Sequence, residues 1–312
     1  MNSNKDYYKL YQKYKSKYLK IVFLSWFKKN NGFNNLQLIN DPYSGKEALA
    51  KHNIKSNELL VKVPFDLMIS VNNGIGDGFI NDLIFKLLEH KKNKTFLEYI
   101  NFLPANYNFL VHNWNEDKIN IIKNTSVYSS IIKSKNEKER RYNEYITKYN
   151  NINLNDYNWA YGCVVTRNFS VYKKGIKYNC LVPYADLINH SNTNNATWSF
   201  TEKEDSFVIH SNKDISNGSN VYVSYGYLDG LKSLTWYGFF MNDYHSFSID
   251  NFKFDNNSKN NLPDGIKKKA MDKLKILKTD YNNFSYLENN NKYNEPLKVL
   301  KTEIKLLEKF EY

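Results

Sequence analysis

Cysteine is almost missing from this chain of 312 residues: Cys163 and Cys180 are the only two, and they form no CxxC pair. A tetrahedral zinc site cannot be built from them without several histidines, and the six histidines are scattered, so no metal is expected. A disulfide framework is excluded as well, which suits a reducing compartment. Long apolar runs are also missing. The run near the start, Ile21-Val22-Phe23-Leu24-Ser25-Trp26-Phe27, is too short to span a bilayer and has no small-residue cleavage pattern after it. With no transmembrane segment, the chain reads as soluble and intracellular, in cytoplasm or nucleus.

Glycine and alanine are few, so the apolar 41% of the chain comes from Ile, Leu, Tyr and Phe, with 26 Tyr and 19 Phe. That is ample for a folded interior and excludes disorder throughout. Together with abundant Lys and Asn it suggests an AT-rich coding genome. The net charge of +12 allows a nucleic acid, an anionic membrane face or an acidic partner. The lysines are spread along the chain with few dense clusters, so compositional drift accounts for them better than a partner does, and a nucleic-acid role has charge alone behind it.

Residues 1–30 place Tyr7, Leu10, Tyr11, Tyr14, Tyr18, Ile21 and Val22 at helical spacing among lysines, which predicts a basic amphipathic helix. It either packs on the main domain or serves a membrane surface or partner. Residues 31–78 read as short strands, including Leu59–Pro64, whose proline suits a strand end. Residues 79–158 follow a 3.6-residue period and read as a helical insert. A second β-rich block spans 159–254, with Val221–Tyr225 among its strands. Residues 255–312 carry two short helices, Gly265–Leu277 and Pro296–Phe310. A β domain split by a helical insertion is an α+β architecture.

Three segments stand out: Val164-Val165-Thr166-Arg167-Asn168-Phe169, Leu181-Val182-Pro183-Tyr184-Ala185-Asp186-Leu187-Ile188-Asn189-His190-Ser191, and Val221-Tyr222-Val223-Ser224-Tyr225-Gly226 followed by Tyr237-Gly238-Phe239-Phe240. In this order they resemble the SET-domain protein methyltransferases, in the subgroup of the Rubisco large-subunit lysine methyltransferase and the actin-histidine methyltransferase. Val63-Pro64 before Met68-Ile69-Ser70, and Tyr99-Ile100-Asn101-Phe102-Leu103-Pro104, add weaker support. The resemblance covers Leu36 to Phe247. It implies a SET β fold of small sheets with a knotted core, a helical insert and a short helical C-terminal tail. The Tyr- and Lys-rich start separately resembles N-terminal segments of giant DNA virus proteins.

The resemblance implies S-adenosylmethionine as cofactor and a protein side chain, most readily the lysine ε-amine, as methyl acceptor. An amine must then approach the methyl carbon opposite the sulfur in a narrow channel. Asn189 and His190 are implied in holding the cofactor, Arg167 in steadying its carboxylate, a task suited to a guanidinium, and Asp186 as a structural or cofactor-facing partner. Gly45 and Lys46 belong to the implied cofactor loop. Tyr225 is implied at the reaction centre, beside the transferred methyl. Phe169, Tyr237 and Phe239 are implied as walls of the substrate channel, where aromatic rings favour a cationic head. Phe169 follows Arg167 by two, where the histidine enzyme has Asn, and so points to lysine.

Two departures bear on this reading. The cofactor loop has Glu47 where the family has a second glycine, which would have allowed close approach of backbone to ligand. Asp229-Gly230 replaces a Ser-Asn pair, although Asp can still cap a helix. Three alternatives remain open: histidine methylation on the same scaffold, a degenerate SET module used for binding or structure, and nucleic-acid binding. Neither the substrate protein nor an oligomeric state is read from the sequence.

Overall fold

The computed structural model describes residues 3–41, 45–72, 78–149, 152–258 and 262–311. It divides into two compact units, Met1–Asn106 with Asn151–Gly226, and Tyr107–Asn150 with Tyr227–Tyr312. The insert read at 79–158 is thus shared between the units, and the C-terminal helices belong with residues 107–150.

The first unit starts with helix Ser3–Lys29 and continues through strands β1 (Phe33–Asn34), β2 (Leu36–Asp41), β3 (Gly45–Ala50), β4 (Leu59–Pro64) and β5 (Ile69–Val71). After helices Phe79–Lys92, Leu97–Ile100 and Leu154–Arg167 come β6 (Asn168–Lys173), β7 (Ile176–Leu181), β8 (Ala196–Thr201) and β9 (Ser206–Ser211). Three small antiparallel sheets result, ordered β1-β4-β9-β8, β5-β7-β6 and β2-β3. A register shift between Leu59 and Val61 in β4 lets both Leu60 and Val61 bury, where strict alternation would expose one.

Aromatic side chains anchor the C-terminal half of the first helix. Phe23 and Phe27 are fully buried. Phe23 stacks on Phe102 at 4.7 Å, and Phe27 on Tyr184 at 5.3 Å. Burying such a ring stabilises by roughly 1.5–3 kcal/mol. The chain leaves this helix through Gly32, where a Cβ would come within 2.6 Å of the Phe27 ring.

Two sequence expectations need correction. Residues 159–167 do not begin the β block; they form the second half of helix Leu154–Arg167, whose Tyr157, Ala160, Tyr161 and Val164 are buried at i, i+3, i+4 and i+7. The β-branched Val164, Val165 and Thr166 have a weak preference for strand, which burial of one helical face overrides. Val221–Tyr225 is not a strand of any sheet. Val223 forms an isolated parallel bridge with His190 instead, and Asn220, just before the segment, an antiparallel one with Leu49. This segment is held by Val221 N–H on Ala48 O and Val223 N–H on Asn189 O, at 2.8 and 3.0 Å.

The second unit is helical. Helices Glu116–Ile121, Tyr128–Tyr149, Gly230–Tyr237, Asp264–Phe284 and Asn294–Glu308 accompany a hairpin of Phe247–Ile249 with Phe252–Phe254. Its core gathers Trp114, Ile121, Leu234, Phe254, Leu277, Leu300 and Phe310. The first tail helix runs seven residues past the expected Leu277, to Phe284, and the second lies two residues earlier than the sequence periodicity marks. Asp229 caps helix Gly230–Tyr237, accepting the Lys232 N–H at 2.7 Å, so its replacement of serine is tolerated.

Candidate active site

In the first unit, the motif segments converge on one buried polar cluster. Helix Leu154–Arg167 ends at Arg167, which projects its guanidinium toward the turn Ala185–Leu187. Its Nη1 donates to the Asp186 backbone oxygen at 2.7 Å and lies 3.3 Å from Asp186 Oδ2. The Tyr99 hydroxyl donates to the same Oδ2 at 2.9 Å. Asp186 Oδ1, by contrast, is buried with no hydrogen-bond partner among the described residues. Burial pushes the Asp186 carboxyl up, against the pull of Arg167 and Tyr99. Burial also holds the Tyr99 phenol well above its usual value.

The turn is set by Tyr184, a buried tyrosine with φ of 74°. Such a conformation costs of order 1–3 kcal/mol and persists where surroundings over-determine it. Here they do: the hydroxyl donates to Leu36 O at 2.9 Å and the ring packs on Phe23 and Phe27.

Lys46 reaches the cluster from β3. Its Nζ donates to Phe102 O at 2.6 Å and sits 4.1 Å above the Phe102 ring. Burial lowers its pKa to about 8, with the nearby Arg167 pushing the same way and Asp186 opposing. Gly45 begins the strand with φ of 82°, a conformation that favours glycine. Glu47 pairs with Ile39 in the regular β2–β3 ladder and has no left-handed φ. Its position makes no conformational demand for glycine.

Asn189 donates its side-chain amide to the Lys46 backbone oxygen at 3.0 Å, joining the Asn189-His190 segment to β3. His190 accepts the Tyr225 N–H at Nδ1, 3.1 Å, while Nε2 faces Asn192 Oδ1 at 3.0 Å. An accepting Nδ1 and a donating Nε2 define a neutral imidazole, and burial lowers the His190 pKa in agreement. The Tyr225 hydroxyl donates to Ile188 O at 2.7 Å. Tyr225 is therefore fixed at both ends to the Ile188–His190 segment, its N–H on the imidazole and its O–H on a carbonyl.

Phe169 lies in β6, nearly buried, edge-on to Trp198 and Phe207 at 5.5 and 5.0 Å. Tyr237 and Phe239 belong to the second unit, 6.1 Å apart at the end of helix Gly230–Tyr237, with Phe239 exposed. Burial raises the Tyr237 phenol. None of these residues lines the cavity of about 540 Å³ in the second unit, bordered by Glu295, Lys298 and Lys305. No group of three or more His, Cys, Asp or Glu among the described residues is placed to hold a metal.

Reasoning from sequence assigned no role to Tyr99, which bonds the central carboxylate. Its only signal was membership of Tyr99–Pro104, a segment whose partners lie far along the chain. That segment also supplies Phe102, the platform for Lys46.

Residues 45–226 match the SET domain family. The chain belongs to this family. The matched span contains every site residue of the first unit, from Gly45 to Tyr225. The chain is 25% identical over 248 residues to an actin-histidine N-methyltransferase of Xenopus tropicalis, covering 70% of the chain. It spans 42% of the length of that relative. Among solved structures it is similar to Rubisco LSMT bound to AdoMet, with TM-score 0.65 and 16% identity over 92% of this chain and 88% of that one. It is likewise similar to the SET domain of LSMT bound to lysine and AdoHcy, with TM-score 0.64 and 15% identity over 92% and 88%. At these identities the likeness establishes the fold, a SET fold of small sheets with a helical C-terminal segment.

Proposed function

We propose that this chain is an S-adenosylmethionine-dependent protein methyltransferase acting on the lysine ε-amine, inside the cell. The observation that carries the proposal is the Arg167–Asp186 pair. A buried carboxylate with one oxygen bonded and the other partnerless, beside a guanidinium and an ammonium, fits the zwitterionic end of an amino acid. Arg167 suits a carboxylate, and Asp186 Oδ1 an ammonium. The AdoMet and AdoHcy of the structural neighbours are the same kind of ligand.

S-adenosylmethionine supplies an electrophilic methyl on a sulfonium; its transfer to a neutral amine forms the N–C bond, breaks the S–C bond and ends with loss of one proton. The chain's own residues then do three things. Arg167, Asp186 and Lys46 would hold the amino-acid end, and Asn189 ties the strand of Lys46 to the Ile188–His190 segment. Tyr225, its hydroxyl proton committed to Ile188 O, presents its oxygen as acceptor and orients the incoming amine. Phenols are poor bases near neutrality, so the proton passes to water. Phe169, backed by the buried Phe207, and the part-exposed Trp198 give aromatic surface suited to the stem of a lysine.

A second reading, histidine as acceptor, is favoured by the name of the Xenopus relative. Incubation of the purified chain with methyl-labelled cofactor and a protein mixture, followed by peptide mass spectrometry, separates the two. Methyl-lysine is expected; methyl-histidine would overturn the Phe169 argument. Tyr225→Phe, which keeps the ring, is expected to lower labelling about 100-fold, and full retention would remove Tyr225 from the reaction.

A further inference from the structure

The first helix has two opposite faces, and only one belongs to the fold. At about 100° per residue, Tyr7, Tyr11, Tyr14, Tyr18 and Ile21 fall within an arc of about 80°. All are exposed, between 47% and 73% together with Leu10 beside them. Ser16, Phe23 and Phe27 project from the opposite side. There Phe23 and Phe27 are buried, Ser16 accepts the Asn40 amide at 2.8 Å, and Lys20 reaches Leu38 O at 3.3 Å. The tyrosine stripe therefore faces away from the unit that anchors the helix, over about 21 Å of its length.

The flanks of the stripe are basic. Lys15 borders it on one side, Lys13 and Lys17 on the other, all exposed. Asp6 is the only acidic residue before Asp41. We infer that this face docks on an anionic lipid surface. Charge complementarity selects the occupant: two copies of the helix would set lysine against lysine, whereas acidic headgroups neutralise both flanks. The residue type agrees. A phenol needs a polar partner for its hydroxyl and an apolar one for its ring, which the headgroup region provides together and a dry helix–helix seam does not. No helix among the described residues is long and apolar enough to cross a membrane, so the contact is peripheral.

The inference does not depend on the methyl-transfer reading. Its test is co-sedimentation of the full chain with vesicles of phosphatidylcholine alone and with about 30 mol% phosphatidylserine. The wild type is expected to sediment with the anionic vesicles only. Tyr11→Ser/Tyr14→Ser/Tyr18→Ser, all exposed positions, is expected to bind at least about tenfold more weakly with an unchanged melting temperature. Lys13→Gln/Lys15→Gln/Lys17→Gln, which keeps the rings, is expected to lose binding as well. Failure of the wild type to bind anionic vesicles would overturn the inference. So would equal binding by the tyrosine variant, which would reduce the effect to net charge. A wild-type dimer that becomes monomeric in the tyrosine variant would assign the stripe to a second copy instead.

Discussion

Two buried carboxylates, one in each unit, are treated differently by the chain. Glu303, on helix Asn294–Glu308, has no exposed side-chain surface. Its oxygens accept the Ser126 N–H and the Ser126 hydroxyl, the latter at 2.6 Å, and Lys273 and His245 lie 3.6 and 3.5 Å away. Asp186 is equally enclosed, yet only Oδ2 is bonded, and Oδ1 has no partner among the described residues. Leaving a buried acceptor unmet costs about 1–3 kcal/mol. The fold meets the needs of Glu303 in full and leaves those of Asp186 in part. A fully bonded carboxylate serves the structure; the half-bonded one beside Arg167 and Lys46 is the one we propose to meet the cofactor.

The sharpest way to break this contrast is Glu303→Ala. It strands the Ser126 donors and leaves a cavity in the buried core, and is expected to cost about 3 kcal/mol of stability in thermal or denaturant unfolding, with cofactor affinity unchanged in whatever fraction stays folded. Next is Arg167→Ala, expected to weaken S-adenosylmethionine binding about 100-fold by calorimetry; an unaltered affinity would make the guanidinium purely structural. Smallest is Lys46→Met, expected to raise the stability of the cofactor-free protein near neutral pH by about 1 kcal/mol, because it removes a disfavoured, partly buried cation. The pH dependence has a defined sign. The Lys46 pKa falls from 10.5 to about 8 on folding. Between those values the unfolded chain binds more protons, so the wild type gains stability as pH rises from 8 toward 10.5, and Lys46→Met does not gain that increment.

The grouping of the candidate site residues was legible in the sequence, because their segments are locally ordered: Arg167 ends a helix, and Asp186, Asn189 and His190 share one turn-rich stretch. Family membership and the small-sheet fold followed from the same segments. What was not legible depends on partners distant in sequence. Tyr99 reaches Asp186 across 87 residues, and no local pattern announces that bond. Val221–Tyr225 alternates like a strand, but its neighbours are single bridges rather than a ladder. For Glu47 the ladder opposite Ile39 shows that its position needs no special backbone conformation, which leaves close approach to a ligand as the one reason for a glycine there. The N-terminal helix was visible as a periodic pattern, whereas the division into an anchored face and an exposed one required Phe23, Phe27 and Ser16 to find their partners.

The contrast between the carboxylates is tested most directly by calorimetric titration of S-adenosylmethionine into the wild type and Asp186→Asn. The predicted result is one binding site in the wild type and about tenfold weaker binding in Asp186→Asn, with a melting temperature close to that of the wild type. Absence of binding to the wild type, or equal affinity for the two proteins, would contradict the assignment of the partnerless Asp186 oxygen to the cofactor.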